Sequence, residues 1–432
     1  MIGVAKAIVA KNQVAAAGGL QPFTGLFKNT ATNAVAANGA TPVADGVLVA
    51  LSRTAIAAEP RYAKLGLDGS LTWLKQIAEA SFTGAAHCYT ALELAGGDQI
   101  VLAHGAGTMY ETLLLRVDNN TVIWQKRLSN TSHVFGRQAH LLPNGNIAIL
   151  VQSAVVVWTP ELIIFQPDGT LVAHKRFSAS VGVSPYSMDV TATEIVISNH
   201  ATPNGYIVHT ALDGSGATFT KFSVPETLYI NSVSVDEATG DTYLAGRGRL
   251  GVADNNGWVA KFNSAGVNQW SKSFSIAGEV QYDNLMATFN DGALYLSGFL
   301  RTLAAPQIRG LTAKISSAGV PEWAGTYNKS TNNSAFNYQG TNIEVVNGNL
   351  LTKGYVSDGV LDAAVISTPI DGSHVGTTQN GIAITSVNLE VADVVVTAET
   401  NDMVDEGANL STINSTITAV VSDATDLTYT VA

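Results

Sequence analysis

Apolar residues along this chain occur in runs of roughly four to eight, separated by turns rich in Gly, Asn, Asp and Ser. The runs favour β-branched and aromatic residues, which is typical of strands joined by hairpins. The segment 231–274 shows the pattern best, with runs at residues 232–236, 242–246, 257–262 and 268–274. No segment has the spacing of a long helix. The pattern therefore predicts an all-β protein built from four-stranded units.

These units repeat along the chain. A sequence motif that begins with Lys, contains a Gly turn and ends with Trp occurs three times, at residues 64–73, 261–270 and 314–323. Weaker copies, which raise the count to seven, are at residues 116–124, 164–173, 209–219 and 367–376. The turn residues of successive copies lie 45 to 53 positions apart. A second motif, a Gly turn followed by an apolar run, recurs with the same period. Two signals with one period indicate a repeat protein.

The period and the strand content predict a propeller. Sheets with two apolar faces must be covered on both sides, and their edges must be protected. Radial repetition achieves both, so we expect a seven-bladed β-propeller of four-stranded blades over residues 41–389. An extended N-terminal arm (residues 1–40) precedes it, and an acidic, β-rich C-terminal extension (residues 390–432) follows. A β-solenoid is the alternative, less favoured because its repeats are usually shorter.

The repeated residues are expected to serve the scaffold. Each repeated turn position is expected to require a positive φ angle, which Gly adopts at low cost, and Asn120 takes that place in the second copy. The Trp four residues later is large enough to fill the space between neighbouring blades. The third and seventh copies have Ala173 and Gly376 instead, so we expect different packing there. The blade-packing residues are Gly69, Gly266, Gly319, Trp73, Trp124, Trp270 and Trp323.

Two copies, at residues 231–274 and 284–327, resemble a β-propeller repeat family found in bacterial surface proteins and in uncharacterised proteins. The shared motifs are Val-Asp, Gly-x-x-Tyr-x-x-Gly, Val-Ala-Lys and Ser-Ala-Gly-x-x-x-Trp. The resemblance extends over residues 40–380, more weakly outside these two copies. It implies a propeller scaffold, and it implies no chemistry, because that family has no shared catalytic residues.

The net charge of −11 is unevenly distributed. Residues 1–43 contain three Lys and no acid, whereas residues 382–432 contain eight acids and no Lys or Arg. This balance disfavours nucleic acid as a partner, because phosphate binding requires clustered basic residues. The acidic segment also contains strand-like runs. We expect residues 382–389 to complete the sheet of the first blade, and residues 394–432 to project and dock on another subunit.

Candidate chemistry is sparse. The single Cys88 excludes an intrachain disulfide, and the eight His lack the spacing of a metal site. Phosphate-binding loops and nucleophile elbows are absent from the sequence, and the motifs of sialidases and quinone-dependent dehydrogenases do not fit it. We therefore predict that the protein is not an enzyme and that it binds no cofactor and no metal.

Two functional hypotheses remain. The first is a structural protein of a virus particle, made in the host cytoplasm, with a bacteriophage tail, fibre or collar component favoured. The weakly charged composition, the oppositely charged ends and the Lys6 and Lys11 that interrupt any N-terminal export signal support it. Its arms would contact other virion subunits in a homo-oligomer, and it would have no membrane span.

In the virus particle the propeller would contact a glycan on the host surface. The alternative is a carbohydrate- or protein-binding module on a bacterial cell surface. Loops on a rigid scaffold commonly bind ligands, and the loops after the second strand of two repeats are rich in Arg. The candidate binding residues are Arg247, Arg249, Asp254, Arg301 and Arg309.

Overall fold

The computed structural model of the chain describes most of the repeats and parts of both terminal segments. The described residues are 19–29, 35–53, 59–79, 82, 86–106, 110–129, 133–154, 157–224, 227–249, 255–276, 281–301, 308–329, 333–336, 343–357, 361–379, 382–405, 411–413, 420–423 and 427–431. Among the described residues, all regular secondary structure consists of β-strands.

The strands of the first half are β1 (Phe23–Asn29), β2 (Val35–Val43), β3 (Gly46–Arg53), β4 (Arg61–Gly66), β5 (Leu71–Ala78), β6 (Ala86–Glu93), β7 (Gln99–Ala106), β8 (Tyr110–Asp118), β9 (Thr121–Ser129), β10 (His133–Leu141), β11 (Ile147–Ala154), β12 (Trp158–Phe165), β13 (Leu171–Ser178), β14 (Ser184–Val190), β15 (Glu194–Ala201), β16 (Asn204–Ala211) and β17 (Thr218–Ser223). Those of the second half are β18 (Thr227–Asp236), β19 (Asp241–Arg249), β20 (Asn255–Phe262), β21 (Asn268–Ser275), β22 (Gln281–Asn290), β23 (Ala293–Arg301), β24 (Ile308–Ser316), β25 (Pro321–Lys329), β26 (Asn333–Phe336), β27 (Glu344–Val346), β28 (Asn349–Ser357), β29 (Leu361–Pro369), β30 (Thr378–Gln379), β31 (Ile382–Ser386), β32 (Glu390–Asp393), β33 (Thr397–Glu399), β34 (Val404–Asp405), β35 (Ser411–Ile413), β36 (Val420–Asp423) and β37 (Leu427–Val431).

Each repeat is an antiparallel meander of consecutive strands. In the third repeat, β10 pairs with β11, β11 with β12, and β12 with β13. The two middle strands are buried along nearly their whole length, which fits their continuous apolar sequence, because a strand covered on both faces need not alternate. The other repeats are β2–β5, β6–β9, β14–β17, β18–β21 and β22–β25, and the last contains β27, β28 and β29.

The repeats surround a common axis. The first strands of neighbouring repeats contact one another, from β2 through β6, β10, β14, β18 and β22 to β27. The circle is closed because β2 also contacts β27, β28 and β29 of the last repeat. Meanders arranged radially around their first strands form a β-propeller.

The prediction of seven separate four-stranded blades is wrong. The described strands form five hydrogen-bonded sheets, and therefore five blades: three of five strands, one of ten and one of twelve. Pairing of Ser52 with His87 and of Arg53 with Ala86 joins the first two repeats. Pairing of β24 with β26 joins the sixth repeat to the last. Local sequence patterns do not encode these contacts between repeats.

The described residues of the predicted N-terminal arm, 19–29 and 35–40, belong to the propeller and do not form a separate arm, while residues 1–18 and 30–34 lie outside the described residues. Strand β1 pairs antiparallel with β29 and so supplies the fourth strand of the last repeat. Its side chains Phe23, Leu26 and Phe27 are buried. The prediction that residues 382–389 complete the first blade is wrong, since β31 pairs with β25 and its Ile382 and Ile384 pack in a cluster with Leu26.

The C-terminal segment follows the outer edge of the propeller. We call β31–β37 (residues 382–431) the C-terminal belt. Its strands add to the outer strands in reverse chain order, with β31 on β25, β32 on β21, β33 on β17, β34 on β13, β35 on β9, β36 on β5 and β37 on β1. The prediction of a projecting extension is wrong, because these strands satisfy edges that would otherwise present unpaired backbone groups.

Charge complementarity holds the belt as well. Lys221 Nζ lies 3.0 Å from Asp402, and Lys175 Nζ lies 2.9 Å from Asp405. Partial burial opposes ionisation of Asp402, but hydrogen bonds from Ser180 and Lys221 outweigh it and lower the pKa of this carboxyl to about 2. Two of the acidic residues near the C-terminus, Asp402 and Asp405, therefore pair with lysines on the outer strands.

The repeated turn and Trp make contacts between successive repeats. Gly69, Gly266 and Gly319 have φ angles of +79°, +75° and +75°. In the second copy the positive φ belongs to Asn119, at +52°, and not to Asn120 as predicted. The indole N–H groups of three tryptophans donate to backbone carbonyls at the next repeat's turn: Trp124 to Pro167 at 2.9 Å, Trp270 to Ser317 at 3.0 Å and Trp323 to Ile370 at 3.1 Å.

In the two copies that lack Trp, other residues make the contact with the turn of the next repeat. In the third repeat, Ala173 lies beneath the turn of the next repeat, where a Cβ added to Gly214 would be 3.4 Å from the Ala173 Cβ. In the last repeat the fourth strand is β1, so Phe23 occupies the place over the Gly69 turn. Gly376 instead donates its N–H to Ile384 of the C-terminal belt at 2.7 Å.

Replacing Gly69 by Ala is expected to destabilise the protein more than replacing Gly97 by Ala. Both have positive φ, which costs a non-glycine residue about 1–2 kcal/mol. At Gly69 the new Cβ would also overlap the Phe23 ring, whereas at Gly97 nothing lies within 4 Å. Overpacking adds about 1–3 kcal/mol. Urea unfolding measures the free energy of unfolding of both variants. The prediction is contradicted if both substitutions lower it equally. It is also contradicted if the larger loss at Gly69 remains when Phe23 is replaced by Ala.

Candidate functional site: a ring of side chains on the bulges

The first strands of five repeats contain a β-bulge at the same place. The extra residues are Asn38, Tyr89, Arg137, Tyr186 and Asn231. A bulge inserts one residue and re-aims its side chain, and bulges are common beside functional sites. In each of these five repeats, the residue two positions before the bulge residue pairs with one residue of the second strand. The bulge ring, as we call it, consists of these three residues from each repeat: the bulge residue, the residue two positions before it and the paired residue of the second strand. Its members are Ala36, Asn38, Ser52, His87, Tyr89, His104, Phe135, Arg137, Gln152, Ser184, Tyr186, His200, Tyr229, Asn231 and Arg247.

In the second, third and fourth repeats, the bulge residue contacts the paired residue of the second strand. The Tyr89 and His104 rings stack with centroids 4.7 Å apart, and the Tyr186 and His200 rings stack at 5.0 Å. In the third repeat Arg137 Nε donates to Gln152 Oε1 at 3.0 Å. These contacts fix the re-aimed side chains against their own sheet.

Between repeats, the same residues form a continuous chain of contacts. The His104 and Phe135 ring centroids are 5.3 Å apart, and those of His200 and Tyr229 are 5.1 Å apart. The Arg137 Cζ atom lies 5.2 Å from the centroid of the Tyr186 ring. Asn38 donates to the backbone carbonyl of Cys88 at 2.8 Å, and Gln152 donates to Ser184 at 3.0 Å. The ring is therefore connected from the first repeat to the fifth.

Part of the bulge ring reaches the surface. Phe135, Arg137, Tyr186, Tyr229 and Arg247 are partly buried, whereas His104 and His200 are buried behind them. Two aromatic neighbours extend this surface at Phe135. They are Trp158, with its ring centroid at 5.5 Å and 38% of the residue exposed, and Tyr110, with its centroid at 4.7 Å.

The histidines of the ring are held neutral. Burial lowers the pKa of His200 to about 4, and the Arg137 and Arg247 guanidiniums act in the same direction against one backbone hydrogen bond from Ile230. Burial also lowers the pKa of His104 well below its usual range, again with a contribution from Arg137. At neutral pH the positive charge of this surface therefore resides on the two arginines.

The five residues predicted as a binding surface are not all brought together. Arg247 belongs to the bulge ring, and Arg249 lies two positions further along β19, paired with Thr227. Arg301 ends β23, and Arg309 lies next to the start of β24, so these two mark the same end of the sixth repeat. The side chains of Arg249 and Arg301, and all of Asp254, lie outside the described residues.

The sequence did not predict that most residues of the bulge ring lie together. His104 and His200 could be placed on one rim, because both follow the apolar run of a second strand. The aromatic residues Tyr89, Phe135, Tyr186 and Tyr229 could not be assigned to that rim, since a bulge breaks the two-residue alternation on which facing is predicted. A clue was available in the recurrence of an aromatic residue early in the first strands.

Other titratable groups in the described part of the chain are dispersed. Within it, no group of three His, Cys, Asp or Glu side chains is placed to hold a metal ion. Glu161 and His174 form a buried pair without a third titratable ligand beside it among the described residues, with Oε2 and Nε2 2.6 Å apart. Burial raises the pKa of the Cys88 thiol, which keeps it protonated and unreactive. Among the described residues, no helix is long and apolar enough to cross a bilayer.

Comparison with known proteins finds likeness in structure only. No protein-family model matches the chain, and no curated protein sequence matches it. The Dos1 propeller is 12% identical with a TM-score of 0.42, over 82% of this chain and 96% of that one. A protein of unknown function from Bacteroides caccae is 11% identical with a TM-score of 0.39, over 70% and 93%. TolB from Acinetobacter baumannii is 10% identical with a TM-score of 0.34, over 82% of each chain.

Proposed function

We propose that this chain is a non-enzymatic binding propeller that holds a carbohydrate on the bulge ring. The observation that carries the proposal is the row of partly exposed aromatic residues and arginines that lies at the bulges and beside them in the third, fourth and fifth repeats. Aromatic faces pack against the C–H groups of a sugar, while fixed polar groups orient its hydroxyls. The bulge ring supplies both kinds of group on a rigid scaffold.

The ring is organised for recognition. Its aromatic residues are held by contacts on two sides, as Phe135 is by His104 and Tyr110, so they lose little conformational freedom when a ligand binds. Its amides and hydroxyls, such as Gln152 and Ser184, are linked by hydrogen bonds that set their orientation. Such preorganisation supports affinity for a ligand that spans several repeats.

The setting of this binding function stays a prediction. In a bacteriophage tail or fibre, the propeller would contact a glycan on the host surface, and other virion subunits would hold it in place. On a bacterial cell surface the same ring would bind an external glycan. The C-terminal belt is used within the chain, so contacts with other subunits would involve surfaces other than the described edges that the belt covers.

A glycan array followed by calorimetry tests the proposal. We expect at least one glycan to bind, and Phe135→Ala and Trp158→Ala each to weaken its binding about tenfold or more, because stacking contacts are lost. Leu171→Ala, which removes an exposed apolar side chain from β13, is the matched control and should leave affinity unchanged. Absence of any glycan ligand, or equal binding by all three variants, would exclude carbohydrate binding at this ring.

A further inference from the structure

A cavity of about 770 Å³ opens on the face of the propeller opposite the bulge ring. The bulges lie near the starts of the first strands, whereas this cavity lies at the ends of the first three of them. Its lining includes residues 41–45 after β2, residues 92–97 after β6 and Leu141 at the end of β10. Small-molecule sites have volumes of roughly 300–1,000 Å³, so the cavity is large enough to hold a ligand.

The polar wall of this cavity contains two carboxylates and one amine. Lys64 Nζ lies 2.7 Å from Asp45 Oδ1 and 2.9 Å from Glu93 Oε2, so a single ammonium group bridges the first and second repeats. Burial lowers the pKa of Lys64, but its hydrogen bonds to the two carboxylates outweigh burial and raise the pKa above its usual value. Lys64 therefore stays charged, and the three side chains together have an excess of one negative charge.

A buried amide adds an unsatisfied acceptor to the same wall. Gln99 is paired directly with Glu93 in the β6–β7 hairpin, so the two side chains lie on the same face of the sheet. Gln99 lines the cavity and is 7% exposed, and its Nε2 donates to the Gly97 carbonyl. Its Oε1 has no hydrogen-bond partner among the described residues. A buried acceptor without a donor destabilises the protein, so a bound donor would recover that loss.

The polar wall can accept more hydrogen bonds than Lys64 can donate. An ammonium group has three N–H donors, whereas two carboxylates and one amide oxygen can accept about ten hydrogen bonds. A complementary ligand therefore donates hydrogen bonds and carries a positive charge. The rest of the lining includes the apolar residues Val43, Leu92, Leu94 and Leu141, which suit a hydrocarbon group.

We propose that this cavity binds a protonated primary amine, with its ammonium group held by Asp45, Glu93 and Gln99 and its hydrocarbon part packed on the apolar lining. The ammonium group would donate to acceptor sites that Lys64 alone cannot fill. The site goes beyond the proposed carbohydrate binding, because it shares no residue with the bulge ring. Binding is noncovalent and requires no other reactant.

Isothermal titration calorimetry with three matched probes tests this ligand class. Phenethylamine is protonated at neutral pH, phenethyl alcohol is its neutral counterpart, and hydrocinnamate has a similar body with a negative charge. We expect the amine to bind about tenfold or more tightly than the alcohol, because charge-assisted hydrogen bonds are about twice as strong as neutral ones. Its affinity should fall as salt rises, and hydrocinnamate should not bind.

Variants of the polar wall locate the bound amine. Glu93→Gln removes a charge and Gln99→Met removes the unsatisfied acceptor, so we expect each to weaken amine binding about tenfold. Glu322→Gln is the matched control, because it removes the same charge from a Lys–Glu pair of the sixth repeat and should leave the affinity unchanged. Thermal unfolding of each variant without ligand confirms that it is folded.

Lys64→Met distinguishes a binding site from a purely structural ion pair. The variant leaves Asp45 and Glu93 without the ammonium group that they share, and a bound amine can replace it. We expect phenethylamine to bind this variant about tenfold more tightly than the native protein. It should also raise the unfolding temperature of the variant more than that of the native protein. An ion pair with only a structural role would give no such rescue.

Four results would overturn the amine assignment. Equal binding of the amine and the alcohol would show that charge does not select the ligand, and tighter binding of hydrocinnamate would reverse its sign. Equal weakening by Glu93→Gln and Glu322→Gln would place the amine outside this cavity. Absence of amine binding at millimolar concentration, in both the native protein and the folded Glu322→Gln control, would exclude the site. The carbohydrate proposal is tested separately, at the bulge ring.

Discussion

A protein truncated after Gly381 is expected to lose about 5 kcal/mol or more of its free energy of unfolding. The truncation removes the whole C-terminal belt, including Ile382, Ile384 and Met403, each at most 2% exposed. Burial of one such side chain contributes about 1.5–3 kcal/mol. Val394 and Val396, which pack against the fifth repeat's core, are lost in addition.

The truncation also uncovers the outer strands. Strands β5, β9, β13, β17, β21, β25 and β1 would each present an unpaired edge. Exposed edges are templates for pairing with another chain, so we expect aggregation and a lower soluble yield along with the lower unfolding temperature. The loss should be distributed around the propeller, because the belt contributes one strand to each repeat.

Calorimetry and size-exclusion chromatography on the truncated and full-length chains measure both effects. The double variant Asp402→Asn, Asp405→Asn is the matched control, since it keeps the strands and removes two ion pairs at the surface. Such pairs contribute about 0–1 kcal/mol each. An unchanged melting temperature and yield after truncation would show that the belt does not stabilise the propeller.

Phe27→Ala is expected to lower the free energy of unfolding by about 3–5 kcal/mol. Phe27 is fully buried in β1, the strand that lies between β29 and β37. Its ring packs in the cluster that joins the first repeat to the last, with Leu351 and Val365 among its members. The variant leaves a cavity at the point where the two ends of the chain close the propeller.

Urea unfolding followed by tryptophan fluorescence measures this loss. Leu71→Ala, in the outer strand of the first repeat, is the control: Leu71 is 37% exposed, so its truncation should cost far less. A Phe27→Ala variant as stable as the control would mean that β1 is dispensable for closure. A parallel deletion of residues 1–29 should then also be tolerated, whereas we expect it to abolish cooperative unfolding.

The sequence predicted the elements that depend on local chemistry. The all-β class, the period of the repeats and the turns at Gly69, Gly266 and Gly319 follow from alternation, strand-forming residues and the need for a positive φ. The same reasoning placed the positive φ angle of the second copy at Asn120 instead of Asn119, because two adjacent asparagines are equally suited to that turn position. It also located His104 and His200 on one rim, without their aromatic partners.

What the sequence alone determined is therefore the repeat and its strands; the tertiary structure decided how they are joined. The five sheets, β1 in the last repeat and the path of the C-terminal belt all depend on which edges remain unpaired once the repeats surround the axis. That is a property of the assembled ring, and no local period records it. The bulge ring likewise exists only in three dimensions, since each bulge shifts the facing of its strand and sets residues such as Arg137 and Tyr186 from different repeats side by side.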